Sequence, residues 1–259
     1  MKRIFVVLAI LAMAVVSLPA FAADIGVIFM HGKWGTNEAS SPIGPIFNEI
    51  KRADALLETP EMPWSRARAY DRDTTAAMAE IDALVEKLKS RGAKRIVIGG
   101  QSMGANFAIA YAAQREGIAG VMAISPGHTP DLKGFQDSLK GDVERAKALI
   151  AEGKGDVKGR FNDSNQGQEQ QMPATANVYL SWFDPQGLMV MPRNAARLKP
   201  ETAFLWLVGN QDSMSQRGEG YAFARAPANP KNAYKLVTGS HTEAGAKAAR
   251  EIGAWLKTL

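Results

Sequence analysis

Apolar residues fall along this chain in two alternating patterns. Unbroken runs at Asp24–Met30, Lys94–Gly99, Ile118–Ser125 and Thr202–Val208 read as strands buried on both faces. Between them, apolar residues recur at helical spacing. Ile43, Ile46, Phe47 and Ile50 form one stripe within Pro42–Leu57. Met78, Ile81, Leu84, Val85 and Leu88 form another, running from a cap at Asp73-Thr74 to Gly92. Ala105–Glu116, Pro192–Leu198 and Glu243–Leu259 are further predicted helices, the last with Ala248, Ile252, Trp255 and Leu256 inward. Asn177–Phe183 reads as an aromatic strand, Asn232–Thr238 as the last strand, and Trp64–Tyr70 as a weak short one. This alternation predicts a largely parallel sheet of about six strands covered by helices on both faces, an α/β architecture.

One segment breaks the rhythm. From His128 to about Ala176 the chain is polar, with repeated glycines and a glutamine-rich stretch, Gln166–Gln171. A helix at about Val143–Ala151 is the one element its pattern supports. The segment, 128–176, reads equally as a cap-like or lid-like excursion over the C-terminal edge of the sheet and as a disordered loop without a role.

The remaining sequence features alter this picture at one end. The 259 residues, 46% hydrophobic, suit one domain with a sizeable core. Lys2 and Arg3, the apolar run Ile4–Val16 and the small-residue site Ala20-Phe21-Ala22 form a secretory signal pattern over 1–22. Its apolar run falls short of the roughly 20 residues of a spanning helix. The expectation is a cleaved leader, no stable membrane anchor, a mature domain over 23–259, and a periplasmic or secreted protein. With no cysteine there is no disulfide or thiolate metal site. The formal charge of +5, without basic runs and interleaved aromatics, gives no sign of nucleic-acid binding.

The chemistry concentrates where predicted strands end. Ile96-Val97-Ile98 runs into Gly100-Gln101-Ser102-Met103-Gly104, a G-x-S-x-G turn between strand and helix. Such a turn strains the serine backbone and pushes its hydroxyl clear of the sheet. Three other polar signals follow strands: His31-Gly32-Lys33, Asp212 and His241. A serine hydroxyl needs a base to become a nucleophile, histidine serves at neutral pH, and a carboxylate orients the histidine. Ser102, Asp212 and His241 supply that set. Asp184 is the rival acid, and Asp212 is preferred because it follows the stronger buried strand. His31 is expected to brace its loop, and His128 to lie in a solvent-exposed loop or to touch substrate. Trp34, Met103 and Trp182 are candidates for lining a pocket, against the commoner place of aromatics in a core. Trp34, Gln101 and His128 are the candidate substrate-binding residues.

The order nucleophile, acid, histidine, together with H-G after the first strand, G-Q-S-M-G, Gly209-x-x-Asp212 and His241 after the last strand, resembles the α/β-hydrolase-fold serine hydrolases. The likeness covers essentially the whole mature chain, with the first strand here standing where that family usually counts its third. The resemblance implies an oxyanion hole built from the backbone N–H groups of Met103 and Lys33. It also implies an acyl-enzyme route without metal or organic cofactor, acting on a small-molecule ester-type substrate. Carboxylesterase is the default expectation. Thioesterases, acyltransferases and peptidases share the triad, and a non-catalytic cell-envelope binding protein retaining the fold is the reading from another class.

Overall fold

The computed structural model describes residues 24–38 and 40–259, so the predicted leader at 1–22 lies outside the described residues. Strand β1, Ile25–Met30, is buried along its whole length. It pairs on one side with β2, Leu56–Glu58, and on the other with β3, Arg95–Ser102. The sheet continues through β4, Ile118–Pro126, then β7, Ala203–Gly209, and β8, Ala233–Val237. All six strands are parallel, in the order β2-β1-β3-β4-β7-β8. The chain steps outward from β1 to β2 and then returns to place β3 on the other side. The strand order therefore reverses between β1 and β3, and such a reversal opens a crevice at the strands' C-terminal ends.

Period-two alternation divides the core into two layers. Ile28, Met30, Ile96 and Ile98 face α2, Thr74–Ser90, and α3, Met103–Gln114. Val27, Phe29, Val97, Met122 and Leu205 face α1, Gly44–Arg52, and the closing helices. Asp73 caps α2 by accepting a hydrogen bond from the N–H of Ala76, as its position ahead of the stripe predicts. Among the described residues no helix is long and apolar enough to cross a membrane.

Four predicted elements differ from what forms. The helix expected over Pro42–Leu57 ends at Arg52, because its apolar stripe ends at Ile50. Asp54 then takes a left-handed turn (φ 54°), and Leu56–Glu58 becomes the sheet's edge strand. Trp64–Tyr70 is no strand: Ala69 and Tyr70 both have positive φ, and the segment coils inward to bury Trp64 and Tyr70. Asn177–Phe183 is helix α5, Ala176–Phe183, started by Thr175 accepting from the N–H of Val178. Its aromatics Tyr179, Trp182 and Phe183 are buried on one helical stripe, so packing overrides their strand propensity. The closing helix is broken at Ala248 into α7, Ala244–Lys247, and α8, Ala249–Leu256. The short helix after α5 is α6, Met191–Ala195.

The polar excursion is more ordered than its pattern suggests. Helix α4 runs from Lys133 to Ala151, well ahead of the predicted start at Val143. An antiparallel hairpin follows, β5 at Lys158–Asn165 and β6 at Gln168–Thr175, which no sequence signal announces. Its side chains are mostly exposed, with Phe161, Asp163, Met172 and Ala174 as its buried face.

Candidate active site

Strand β3 passes into α3 without a connecting loop, and Ser102 is the joint, with φ 56° and ψ −117°. The glycines on either side are required by contact. A Cβ on Gly100 would lie 2.3 Å from the carbonyl carbon of Gly104, and one on Gly104 would lie 2.4 Å from the carbonyl oxygen of Met30. Any larger residue would force strand and helix apart. The N–H of Gly127, at the end of β4, donates to the carbonyl of Ser102 at 3.1 Å and helps hold the strained joint.

Two loops deliver the partners. The loops after β7 and β8 are tied together: Asn210 N–H donates to Val237 O, and Gln211 N–H donates to Gly239 O. Asp212 then caps a 3-10 turn, Ser213–Arg217, with Oδ1 accepting from the N–H of Met214 at 3.0 Å. Its Oδ2 lies 2.7 Å from Nδ1 of His241, and Nε2 of His241 lies 2.9 Å from Oγ of Ser102. A carboxylate can only accept, so Nδ1 carries the proton and Nε2 is free to accept the serine's. Ser102 and Asp212 are buried, and the His241 ring is 15% exposed. The three predicted residues thus form one hydrogen-bonded chain. Asp184 has no part in it. It closes α5, where its carboxylate accepts from the N–H of Gln186 and pairs with Lys147 at 3.5 Å.

The other predicted site residues separate. Met103 is the first residue of α3, where backbone N–H groups have no intrahelical acceptor. The N–H of Lys33 donates to no group among the described residues. Gln101 sits behind the serine, with its amide donating to the carbonyl of His241 at 3.3 Å. Trp34 turns away from Ser102 toward Tyr70, with ring centroids 5.6 Å apart, and is not on the cleft wall. Trp182 is wholly buried and donates to the carbonyl of Arg72, which makes it core.

Two histidines serve neighbouring loops. His31 accepts from the N–H of Met62 at Nε2, so Nδ1–H donates to the carbonyl of Gly32 at 2.8 Å. It braces the loop, as expected, and burial holds its pKa below the ordinary value. His128 is buried rather than solvent-exposed, with φ 62°. Its Nε2–H donates to the carbonyl of Trp182 at 2.8 Å, while Nδ1 has no partner among the described residues. Burial, and secondarily the charge of Lys33, hold its pKa well below the usual range.

Sequence reasoning misses Asp163 on β5. Its carboxylate is fully buried, takes the ammonium of Lys33, and accepts from Trp34 Nε1 and Tyr70 OH, each at 3.1 Å. The signal that could have found it is the F-x-D spacing of Phe161 and Asp163, which places a carboxylate on the apolar face of a strand.

Ser102, His128 and His241 open onto a cleft of about 990 Å³. Its walls are α4, the hairpin tip 164–167 and the 3-10 turn after Asp212. They present hydroxyl, amide and charged groups alongside Leu132, Phe135 and Met214 as apolar contacts, in nearly equal share.

No family model matches the chain, and no curated protein matches it in sequence. Solved structures do resemble it. The monoacylglycerol lipase of Paleococcus ferrophilus shares 20% identity, with 90% of this chain and 94% of that one covered and a TM-score of 0.64. Est1E from Butyrivibrio proteoclasticus shares 15% identity over 91% and 88% of the two chains, with a TM-score of 0.61. The Pyrococcus furiosus esterase PF2001 shares 15% over 91% and 82%, with a TM-score of 0.56. The chain has the α/β-hydrolase fold, with a parallel six-stranded sheet.

Proposed function

We propose that the protein is a secreted or periplasmic serine hydrolase that cleaves an ester-type acyl bond. The observation that carries this reading is the unbroken hydrogen-bonded series Asp212–His241–Ser102 at the mouth of the cleft. Esterases and a lipase among its structural neighbours support the same class of chemistry.

In this mechanism Oγ of Ser102 attacks the carbonyl carbon while Nε2 of His241 takes the hydroxyl proton. Asp212 holds the ring in the required tautomer and stabilises the imidazolium. The oxygen of the tetrahedral intermediate accepts from the N–H groups of Met103 and Lys33, each worth about 3 kcal/mol in the transition state. Collapse breaks the ester C–O bond, and His241 returns its proton to the departing alcohol. Water then attacks the acyl-Ser102 carbonyl with His241 again as base, releasing the acid and restoring the serine.

The polar groups interleaved with Leu132, Phe135 and Met214 along the cleft favour small or hydroxyl-bearing esters over long-chain lipids, whose acyl chains need a continuous apolar wall. Fluorophosphonate labelling of the mature protein beside Ser102→Ala tests the nucleophile. Labelling confined to the parent supports the reading, and an unlabelled folded parent overturns it. With p-nitrophenyl esters, kcat/KM is expected to fall by about tenfold or more from butyrate to octanoate. A rise with chain length would sink the assignment to small esters.

A further inference from the structure

Within the serine hydrolase reading, on which this rests, we infer that Asp163 is a positioning residue for the oxyanion pocket. Through it the β5–β6 hairpin becomes a fixed part of the site and not a lid that opens. The hairpin reaches back across 130 positions of sequence to place one carboxylate beneath the loop that carries the Lys33 N–H.

Every bond of that carboxylate goes to this loop or to its support. Lys33 donates to Oδ1 and also to the carbonyl of Ser164 at 2.9 Å, so both strand backbone and side chain of the hairpin hold it. Trp34 and Tyr70 both donate to Oδ2. The hydroxyl of Tyr70 also lies 3.4 Å from the sulfur of Met103, the residue that carries the second N–H. One buried group is thus joined to the side chains of both proposed oxyanion donors, to Lys33 directly and to Met103 through Tyr70. The ammonium of Lys33 rests 5.2 Å from the ring centre of Phe135 on α4 and 5.3 Å from that of Phe183 on α5, which encloses the pair in apolar surroundings.

The loop needs such an anchor. Trp34 is held at φ 55°, a conformation that non-glycine residues leave unless their surroundings over-determine it. Apolar packing is non-directional and resists rotation of a peptide plane poorly. Charge-assisted hydrogen bonds are short and directional, and fix orientation as well as position. An N–H that must meet an oxygen only in the transition state requires that orientation to be set beforehand.

The test compares Asp163→Asn, Asp163→Ala, Tyr70→Phe and Trp34→Phe with the parent, using p-nitrophenyl butyrate. Active sites are first counted by fluorophosphonate titration, so that kcat refers to competent Ser102 alone. The inhibition constant of a methyl trifluoromethyl ketone, which forms a tetrahedral adduct with an oxyanion, is the second readout. It does not depend on how much protein is folded. We expect Asp163→Asn to lower kcat per site by about 10- to 100-fold with KM within about twofold, and to raise the inhibition constant by the same factor. Asp163→Ala should exceed it. Tyr70→Phe and Trp34→Phe, which keep the ion pair, should each show about 3-fold, and they decide the matter if the Asp163 variants do not fold. Values within twofold of the parent in both readouts, for every variant that folds, would overturn the role of Asp163 and leave the hydrolase reading standing. A parent that neither labels nor hydrolyses esters overturns both.

Discussion

Strands β3 and β5 are each eight residues long and meet the candidate site from opposite sides, by different physical means. β3 is buried along nearly its whole length and pairs on both edges with apolar neighbours. Its place is fixed by a large apolar area removed from water, which tolerates small adjustments. β5 leaves Lys158 and Arg160 exposed and most of its other side chains half-buried, and it buries only Phe161 and Asp163. Its place rests largely on directional bonds that are costly to leave unmade: the Asp163 carboxylate takes Lys33, Trp34 and Tyr70, the N–H of Asn162 donates to Asp142, and Tyr179 OH donates to the carbonyl of Asn162, with the Phe161 ring stacked on Tyr179. A sheet can therefore place Ser102 by bulk hydrophobicity, whereas a polar excursion needs specific anchors to hold it beside the same cleft.

The contrast between the two strands breaks most severely at the tip of β3. Ser102→Ala is expected to reduce turnover by about 10⁴-fold or more while thermal unfolding stays close to the parent's. Asp212→Asn should cost about 10³- to 10⁴-fold, and Asp184→Asn should stay within about twofold. Matched losses in the two aspartate variants would undo the geometric choice between them.

Stability separates the two regions next. Asp163→Asn leaves the Lys33 ammonium buried without its counter-charge, and urea unfolding should show a loss of about 3–5 kcal/mol. Replacing both members, Lys33→Met with Asp163→Leu, should recover most of that stability, because a buried ion pair is often matched by apolar side chains of similar volume. Turnover should not recover with it, since Trp34 and Tyr70 still lack their acceptor. Recovery of both would reduce the pair to a merely structural tie. Ile98→Ala in β3 should lose about 2–5 kcal/mol through cavity formation. Gln170→Thr on the exposed face of β6 should change stability by less than about 0.5 kcal/mol.

A separate effect is graded with pH. His31 and His128 are neutral in the folded protein with pKa values held down by burial, whereas the unfolded chain takes up protons near the ordinary value of about 6.5. As pH falls below that value the unfolded state binds more protons, so stability declines toward acid. The slope is at most about 1.4 kcal/mol per pH unit for each histidine. Melting temperatures between pH 7 and 5 should fall accordingly, and His128→Gln should flatten the decline. An unchanged slope in that variant would remove His128 from the linkage.

Much of the sheet and of the site is legible in the sequence. β1, β3, β4 and β7 are readable because each is apolar over consecutive positions and ends in glycine or polar residues. The turn at Ser102 is readable because its glycines are required by contacts local to the turn and its adjoining strand. Asn177–Phe183 misleads because aromatic residues suit a strand or a helix, and only the neighbours of Tyr179 and Trp182 select between them. Leu56–Glu58 is hidden within a helical stripe because a three-residue edge strand has no period of its own.

The sequence by itself determined the buried strands, the strained serine and the order of serine, acid and histidine, since each depends on a pattern contained within a short stretch. The choice of Asp212 over Asp184, which the sequence already favoured, took its final form in the tertiary structure, and only the fold placed a carboxylate from a polar hairpin beneath Lys33. Those outcomes depend on which distant segments the parallel sheet brings together. A hydrogen bond between residues 33 and 163 has no periodicity to read; it exists because the fold closes that distance and burial then makes leaving either charge unpaired too costly.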